Sequence, residues 1–309
     1  MDLFRRNNAL NLNDNTVNGA TADIAITTHG SDFYFAICAA MGLSGFIFIG
    51  LGYKKKRRDR LFHYITASVV FVACIAYFTM GANLGFTPIA VEFPRSDPKV
   101  AGTYRSIYYV RYIDWFITTP LLLIDLLLTA GMPWPTIMWV VVVDEIMVIT
   151  GLIGALVESR YKWAYFVFGC VALFYIVYQL AWESRIHAKS FGRDVERTFM
   201  MCGSLTTLLW ILYPVAWGVC EGANLIAPDS EAVFYGVLDF LAKPCFGALL
   251  LWGHRNIDPA RLGLAIHDYG DADAVVQDRK IKPETAAQGA TVTHPDGYNG
   301  PVPHVDNTV

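Results

Sequence analysis

The chain has 309 residues, of which 54% are hydrophobic and 17% charged, and its formal net charge is −3. A mean hydropathy of +0.38 is high for a soluble chain, so the composition indicates a membrane protein. The near-neutral charge provides no basic surface of the kind that nucleic acid needs, which argues against nucleic-acid binding.

The chain begins with a polar, Asn-rich segment. Arg5 and Arg6 are not followed by an apolar stretch with a small-residue cleavage site, so no cleavable signal peptide is expected. The first apolar helix would then direct membrane insertion itself. We expect residues 1–31 to form a polar extracellular segment.

Seven runs of mostly apolar residues follow, and each is about the 20 residues that a helix needs to cross a bilayer. They cover residues 33–52, 61–84, 107–130, 134–157, 163–182, 198–220 and 233–252. The prediction is an all-α membrane protein, a seven-transmembrane-helix bundle over residues 32–255. Residues 256–309 are rich in Pro, Gly, Asp and His without an apolar period, and we expect them to form a disordered cytoplasmic tail.

Lysine and arginine residues are unevenly distributed between the two ends of these runs. Six lie within 54–60 and four between 185 and 197, whereas the loops at the opposite ends hold five. Cytoplasmic loops carry the excess of positive charge. This rule places the N-terminus outside and the C-terminus in the cytoplasm of a multi-pass protein of the cell membrane.

The six cysteines all fall within the apolar runs. They form no CxxC pair, and no His or Asp lies near them at metal-ligand spacing. We interpret them as small packing residues and predict no metal site.

The Asp, Glu, Lys and Arg side chains within the apolar runs are confined to the third, fourth and seventh. They are Arg111, Asp114, Asp125, Asp144, Glu145, Asp239 and Lys243. A single one could be an interhelical polar contact or a snorkelling end residue. Because ionisable groups at bilayer depth are costly, seven of them together indicate a functional site.

The spacing of these residues predicts an ordered line of proton-exchanging groups. Asp239 lies one helical turn before Lys243, and Asp125 lies eleven residues after Asp114, on nearly the same face and about 16 Å further along the axis. Asp125 and Asp144 have no cation of their own, and we expect their carboxyl groups to be protonated in the resting protein. From the cytoplasm outward the order is Asp125, Lys243, Asp114 with Asp239 and Arg111, then Glu221 and Glu231. This is the layout of a proton relay around a nitrogen base.

Three segments resemble those of the microbial rhodopsins, in particular the fungal proton pumps of the Leptosphaeria rhodopsin type. RYIDWFITTPLLLID at 111–125 resembles the third-helix motif of that family, and LDFLAK at 238–243 resembles its retinal-binding seventh helix. Trp210, Tyr213, Pro214 and Trp217 resemble the sixth-helix group that packs on the retinal ring. The likeness runs from about residue 33 to residue 255.

The resemblance implies that all-trans retinal forms a Schiff base with Lys243. It makes Asp114 the counterion and proton acceptor, Asp239 the second counterion, and Asp125 the proton donor that Thr66 keeps neutral. Arg111, Glu221 and Glu231 match the extracellular release group. The implied retinal pocket consists of Tyr112, Trp115, Thr118, Thr119, Leu122, Met147, Gly151, Trp210, Tyr213, Pro214 and Trp217, with Asp144 bonded to Thr119 behind the ring.

Two positions depart from the family pattern. Glu221 lies four residues after Trp217, one fewer than in the archaeal pumps. Glu145 stands where the family has a glycine, and it lies about 100° around the helix from Asp144. The shorter spacing affects the match of Glu221 to the extracellular release group.

These observations predict a light-driven outward proton pump, which is an ion transporter and not an enzyme. The alternative is a sensory photoreceptor with the same pigment that signals to a partner protein, but such a sensor gains nothing from a carboxyl donor such as Asp125. Lys243 argues against a retinal-free protein, and Asp114 with Thr118 argues against a chloride or sodium pump. The expected partners are protons, membrane lipid and further copies of the chain in a homo-oligomer.

Overall fold

Seven long helices account for most of the chain that the computed structural model describes, residues 7–91 and 102–264. In chain order they are α1 (Thr28–Tyr53), α2 (Leu61–Gly81), α3 (Tyr109–Thr129), α4 (Trp134–Leu156), α5 (Lys162–Ser190), α6 (Arg193–Gly222) and α7 (Pro228–Asn256). Each overlaps one predicted apolar run, so the prediction of a seven-transmembrane-helix bundle is confirmed. Residues 1–6 and 265–309, which include most of the predicted tail, lie outside the described residues.

Several helices extend beyond their apolar runs by a polar turn. The run predicted to start at residue 198 belongs to a helix that begins at Arg193 and carries Asp194 and Glu196 in its first turn. The α5 helix ends at Ser190 with His187 and Lys189 in its last turn. Acidic groups near a helix N-terminus and basic groups near a C-terminus interact favourably with the helix dipole. Polar residues therefore continue these helices where hydropathy alone ends them.

Three of the helices contain a wider, π-type turn. These turns cover Gln179–Ser184 in α5, Gly218–Gly222 at the end of α6 and Leu241–Cys245 in α7. The turn in α7 includes Lys243 and Pro244, and proline cannot donate a backbone hydrogen bond. Such turns are frequent at functional sites, and this one sets the position of Lys243.

The described residues also contain four short strands that the all-α prediction missed. The strands β1 (Thr16–Val17) and β2 (Ala20–Thr21) form a hairpin, and the two residues between them, Asn18 and Gly19, have positive φ angles of 53° and 83°, as an Asn-Gly hairpin turn requires. The strands β3 (Thr87–Ala90) and β4 (Tyr104–Ile107) pair between α2 and α3. Strands this short produce no periodic sequence pattern.

The first part of the predicted tail is ordered. Residues 259–262 form a helical turn, and Leu262 is buried. Arg261 binds Asp194 through both terminal nitrogens, at 2.8 and 3.1 Å, and also donates to the carbonyl of Phe191 at 2.8 Å. The prediction of disorder is therefore wrong for residues 256–264, because these contacts tie the chain to α6.

The helices pack in chain order, and α7 returns to α1, which closes the bundle. The most enclosed helix is α3, because 67% of its most apolar stretch is buried, compared with 22% for α1. Polar side chains on α3 therefore face protein and not lipid. The side chains of Asp114 and Asp125 are accordingly buried.

Candidate functional site

The side chain of Lys243 lies buried between two carboxylates. Its Nζ is 2.7 Å from Asp114 Oδ2 on α3 and 3.0 Å from Asp239 Oδ1 on α7. All three side chains are at most 2% exposed. A buried ammonium group requires such compensation, so the three charges form one ionic unit.

The two carboxylates of this unit have different partners. Asp239 accepts hydrogen bonds from the hydroxyls of Tyr77 at 2.7 Å and Tyr213 at 2.6 Å. Asp114 bonds Lys243 through Oδ2, and its Oδ1 has no partner among the described residues. Two phenol donors stabilise Asp239 as an anion. Asp114 has an oxygen left to accept a proton.

An apolar cavity extends from Lys243 between α3, α4, α5 and α6. About 780 Å³ of space, which includes the open mouth of the cavity, lies between its lining residues. Ten of the eleven residues of the implied pocket line it: Tyr112, Trp115, Thr119, Leu122, Met147, Gly151, Trp210, Tyr213, Pro214 and Trp217. Aromatic and aliphatic walls with an amine at the α7 side fit an apolar aldehyde such as retinal.

Some features of this cavity differ from the implied pocket. Thr118 does not line it, and its hydroxyl donates to the backbone carbonyl of Asp114 at 2.8 Å. The wall that α5 provides was missed, and it consists of Tyr165, Phe166, Gly169, Cys170 and Leu173. Because α5 is apolar on all sides, its sequence gives no sign of which face meets the cavity.

Asp144 lies behind the cavity wall. It accepts a 2.7 Å hydrogen bond from Thr119 Oγ1, in the arrangement that the resemblance implies. Glu145, the next residue, has no hydrogen bond or ion pair among the described residues. The structure shows nothing that explains its presence.

Asp125 is fully buried on α3, towards the end opposite Arg111. Thr66 Oγ1 donates to its Oδ2 at 3.0 Å, and Oδ1 has no partner among the described residues. No Lys, Arg or His in the described part of the chain forms an ion pair with it. The structure thus brings Thr66 and Asp125 together.

A second ionic cluster lies at the opposite end of α3. Arg111 Nη1 is 2.6 Å from Glu231 Oε1 and 3.3 Å from Glu221 Oε1, and its Nη2 donates to Tyr34 at 2.9 Å. The wide turn Gly218–Gly222 ends α6 here. Glu221 therefore reaches Arg111 despite its shorter spacing from Trp217.

Arg105, one of the five cations in the loops at this end of the helices, belongs to the same cluster. Its side chain is 3% exposed, and its Nη2 lies 2.7 Å from Glu231 Oε2. Burial lowers the pKa of Arg105, but the Glu231 carboxylate outweighs this effect, and the pKa is raised above its usual value. The residue was missed because charged residues are common in membrane loops.

His254, at the end of α7, is buried. Its Nδ1 is 3.0 Å from the carbonyl oxygen of Leu250, and its Nε2 is 3.3 Å from Thr129 Oγ1. It is buried because α7 continues to Asn256, past the predicted end of the apolar run at residue 252.

The chain matches known proteins over most of its length. The family model of bacteriorhodopsin-like proteins covers residues 29–257. The opsin-like protein carO of Fusarium fujikuroi is 70% identical over 264 residues, which are 85% of this chain and 86% of that protein.

Solved structures with the same fold include two described as light-driven proton pumps. LR (Mac) from Leptosphaeria maculans is 35% identical, with a TM-score of 0.72 over 77% of this chain and 99% of its own. The rhodopsin CsR of Coccomyxa subellipsoidea is 33% identical, with a TM-score of 0.71 over 75% of this chain and 99% of its own. With seven membrane-spanning helices and a family match from residue 29 to residue 257, the chain is a multi-pass membrane protein of the bacteriorhodopsin-like family.

Proposed function

We propose that the chain is a light-driven outward proton pump that carries all-trans retinal on Lys243. The observation that carries this proposal is the position of Lys243 Nζ, at one side of an apolar cavity and 2.7 Å from Asp114. Asp125, a second buried carboxyl, lies eleven residues further along α3. A central nitrogen with one carboxyl on each side is the arrangement that directional proton transfer needs.

The cavity residues hold and orient the chromophore. Retinal, when bound to Lys243, supplies light absorption and a change in the position and proton affinity of the lysine nitrogen. The aromatic rings of Trp115, Trp210 and Trp217 confine the chromophore and exclude water from it. Exclusion of water strengthens the electrostatic interactions of the nitrogen with its carboxylates.

Asp114 accepts the proton on the extracellular side of Lys243. Its Oδ1 has no other partner among the described residues, whereas both oxygens of Asp239 accept hydrogen bonds from the hydroxyls of Tyr77 and Tyr213. Moving one proton against 100 mV costs about 2.3 kcal/mol. Changes in the solvation and pairing of a buried carboxyl are large enough to supply this energy.

Asp125 donates a proton to the nitrogen from the cytoplasmic side. A carboxyl that is buried without a cation is more stable as the neutral acid than as the anion. The single hydrogen bond from Thr66 leaves Asp125 able to release its proton when the nitrogen needs one. Arg111, Glu221 and Glu231 form the extracellular exit.

The distribution of lysine and arginine in the loops sets the direction. It supports an extracellular N-terminus, a cytoplasmic C-terminus and residence in the cell membrane. Protons and membrane lipid are the partners that this function requires, and a homo-oligomer remains a prediction.

The test is light-induced acidification around intact cells that express the chain and are supplied with retinal. The wild type should acidify the medium, and a protonophore should abolish the signal. Asp114→Asn should remove acidification because no acceptor remains, whereas Asp32→Asn, which changes an exposed carboxyl outside the site, should pump normally. A coloured wild type that moves no protons would favour the photoreceptor.

A further inference from the structure

Two buried arginines hold Glu231 from opposite oxygens. Arg105 Nη2 lies 2.7 Å from Oε2, and Arg111 Nη1 lies 2.6 Å from Oε1, with all three side chains at most 3% exposed. Protonation of Glu231 would leave two buried guanidinium charges beside a neutral acid, which is unfavourable. The geometry therefore fixes Glu231 as an anion.

Glu221 has a different environment. Its Oε2 accepts from Tyr235 at 3.0 Å, and its Oε1 accepts from Tyr112 at 3.2 Å and from Arg111 at the longer distance of 3.3 Å. Lys162 Nζ bonds the backbone carbonyl of Glu221 at 3.1 Å. Phenol hydroxyls donate to an acid as well as to a carboxylate. These contacts accommodate Glu221 in either protonation state.

Glu221 also borders a small outer cavity. The residues that line this cavity include Glu221, Arg105, Lys162 and Asn224, together with residues 89–91 at the end of β3. Glu231 is not among the lining residues. A proton that leaves Glu221 therefore has a polar space next to it, on the side of the β3–β4 hairpin.

The charges in the ion pairs of Lys243, Arg105 and Arg111 balance when Glu221 is neutral. The cations are Lys243, Arg105 and Arg111, and the anions in contact with them are Asp114, Asp239 and Glu231. Lys162 also lies beside Glu221, where its ammonium group bonds the backbone carbonyl and not the carboxyl group. The remaining titratable groups near the two glutamates are phenols and a thiol, which are neutral at physiological pH. They are Tyr34, Tyr108, Tyr112, Cys220 and Tyr235.

We infer that Glu221 alone gives up the proton that reaches the extracellular side, and that Arg105 is a positioning residue that keeps Glu231 out of this exchange. The inference rests on the proposed pump. When Asp114 gains its proton, one anion disappears from the site, and the charge of Arg111 can stabilise an ionised Glu221. The O–H bond of Glu221 breaks, and its proton leaves through the outer cavity. When the cycle ends, the proton held on Asp114 moves to Glu221, which becomes a neutral acid again.

The experiment follows proton appearance with a pH-indicating dye after a laser flash on the full-length pigment. In the wild type a proton should appear in the medium promptly after the flash. In Glu221→Gln this prompt release should be absent, and a proton should appear only as the pigment recovers. In Glu231→Gln prompt release should also be absent, because Arg105 and Arg111 then ionise Glu221 in the dark. Adding Arg105→Gln to Glu231→Gln removes the surplus charge and should restore prompt release to within about threefold of the wild-type rate.

That restoration separates a positioning role from a shared proton. If the double variant forms the pigment and protonates Asp114 but gives no prompt proton, the two glutamates share the proton and the inference fails. Prompt release in Glu221→Gln would also overturn it.

If the double variant does not fold, an infrared measurement on Glu221→Gln and the wild type tests whether Glu221 is the group that releases the proton. The light-induced loss of a protonated carboxyl band during release should be present in the wild type and absent in Glu221→Gln. Persistence of that band in Glu221→Gln would overturn the inference. A wild type that acidifies the medium while these results fail refutes the assignment of Glu221 and leaves the pump intact.

Discussion

At the scale of single residues, charges inside apolar runs were the most informative signal. Lys243, Asp114, Asp125 and Asp239 each interrupt a membrane-spanning segment, and burial at that depth requires a partner. The structure places the carboxylates of Asp114 and Asp239 at 2.7 and 3.0 Å from the ammonium group of Lys243. Arg105 carries the same chemistry but could not be identified, because burial of a loop residue depends on the pairing of β4 with β3 and with Ile24.

The hydrogen bonds from two tyrosines to Asp239 could not be predicted from the sequence either. Tyr77 and Tyr213 both donate to Asp239, yet Tyr77 stands in an apolar run without any polar neighbour that sets it apart. A tyrosine in such a run is usually a packing residue or an interface anchor. Only the positions of α2, α6 and α7 relative to one another reveal the shared contact.

Lys243→Ala should abolish the visible absorption band of the protein purified after addition of all-trans retinal. Lys162 is the other buried lysine of the described helices, and its Nζ bonds the carbonyl of Glu221 outside the large cavity. Lys162→Ala should therefore keep the band. Absorption spectra before and after hydroxylamine in light provide the measurement, and a band that survives in Lys243→Ala would rule out attachment at this residue.

Leu122→Gln should shift the absorption maximum to the blue. Leu122 is 4% exposed and lines the large cavity, so an amide dipole here would stabilise the ground-state charge of the chromophore more than that of the excited state. Leu121→Gln makes the same chemical change at a neighbouring position that does not line the cavity, and its maximum should stay in place. Equal spectra for the wild type and Leu122→Gln would contradict the position of Leu122 beside the chromophore.

At the scale of elements, hydropathy predicted the seven helices but not their ends or their irregular turns. The apolar run of α7 stopped at residue 252, whereas the helix continues to Asn256 and buries His254. The wide turn at Leu241–Cys245 leaves no trace in hydropathy either. Both features follow from local hydrogen bonding and from packing against α3 and α6, which a single-sequence pattern does not contain.

Gly247→Ala should destabilise the contact between α7 and α2. A Cβ at Gly247 would lie 2.3 Å from Thr66 Cγ2 and 3.0 Å from the ring of Phe48, and overpacking of this kind costs roughly 1–3 kcal/mol. Because Thr66 bonds Asp125, its displacement should also change the rate of proton donation. Thermal bleaching and flash photolysis measure the two effects.

Gly50 on α1 provides the matched control for this substitution. A Cβ there meets no atom within 4 Å, so Gly50→Ala tests an added methyl group in a helix without the clash. We expect it to bleach at the wild-type temperature or slightly above, since alanine is a better helix former than glycine. If Gly247→Ala were as stable as Gly50→Ala, the close approach of α7 to Thr66 would be wrong.

At the scale of the whole molecule, the polar groups of the site follow one another along α3. Thr66 and Asp125 lie towards one end of α3, the Lys243 unit lies between, and Arg111 with the two glutamates lies at the other end. The order of these groups could be predicted from sequence because α3 and α7 each carry several of them on a helix of known rise. The proposed separation of roles between Glu221 and Glu231 could not, since it rests on the ion pair of Glu231 with Arg105 from outside the bundle.

Asp125→Asn distinguishes a pump from a photoreceptor. The side chain is fully buried, bonds only Thr66 and does not line the large cavity, so the dark spectrum of the variant should be almost unchanged. Without the internal donor the nitrogen of Lys243 must take its proton from bulk solvent. The deprotonated species should therefore last longer as the pH rises, because the supply of protons falls tenfold with each pH unit.

Asp114→Asn should act differently and shift the dark spectrum to the red through loss of a counterion. Flash photolysis of both variants across a pH series provides the measurement, and an Asp125→Asn variant that recovers at the wild-type rate without pH dependence would show that Asp125 is not the donor and would favour the photoreceptor.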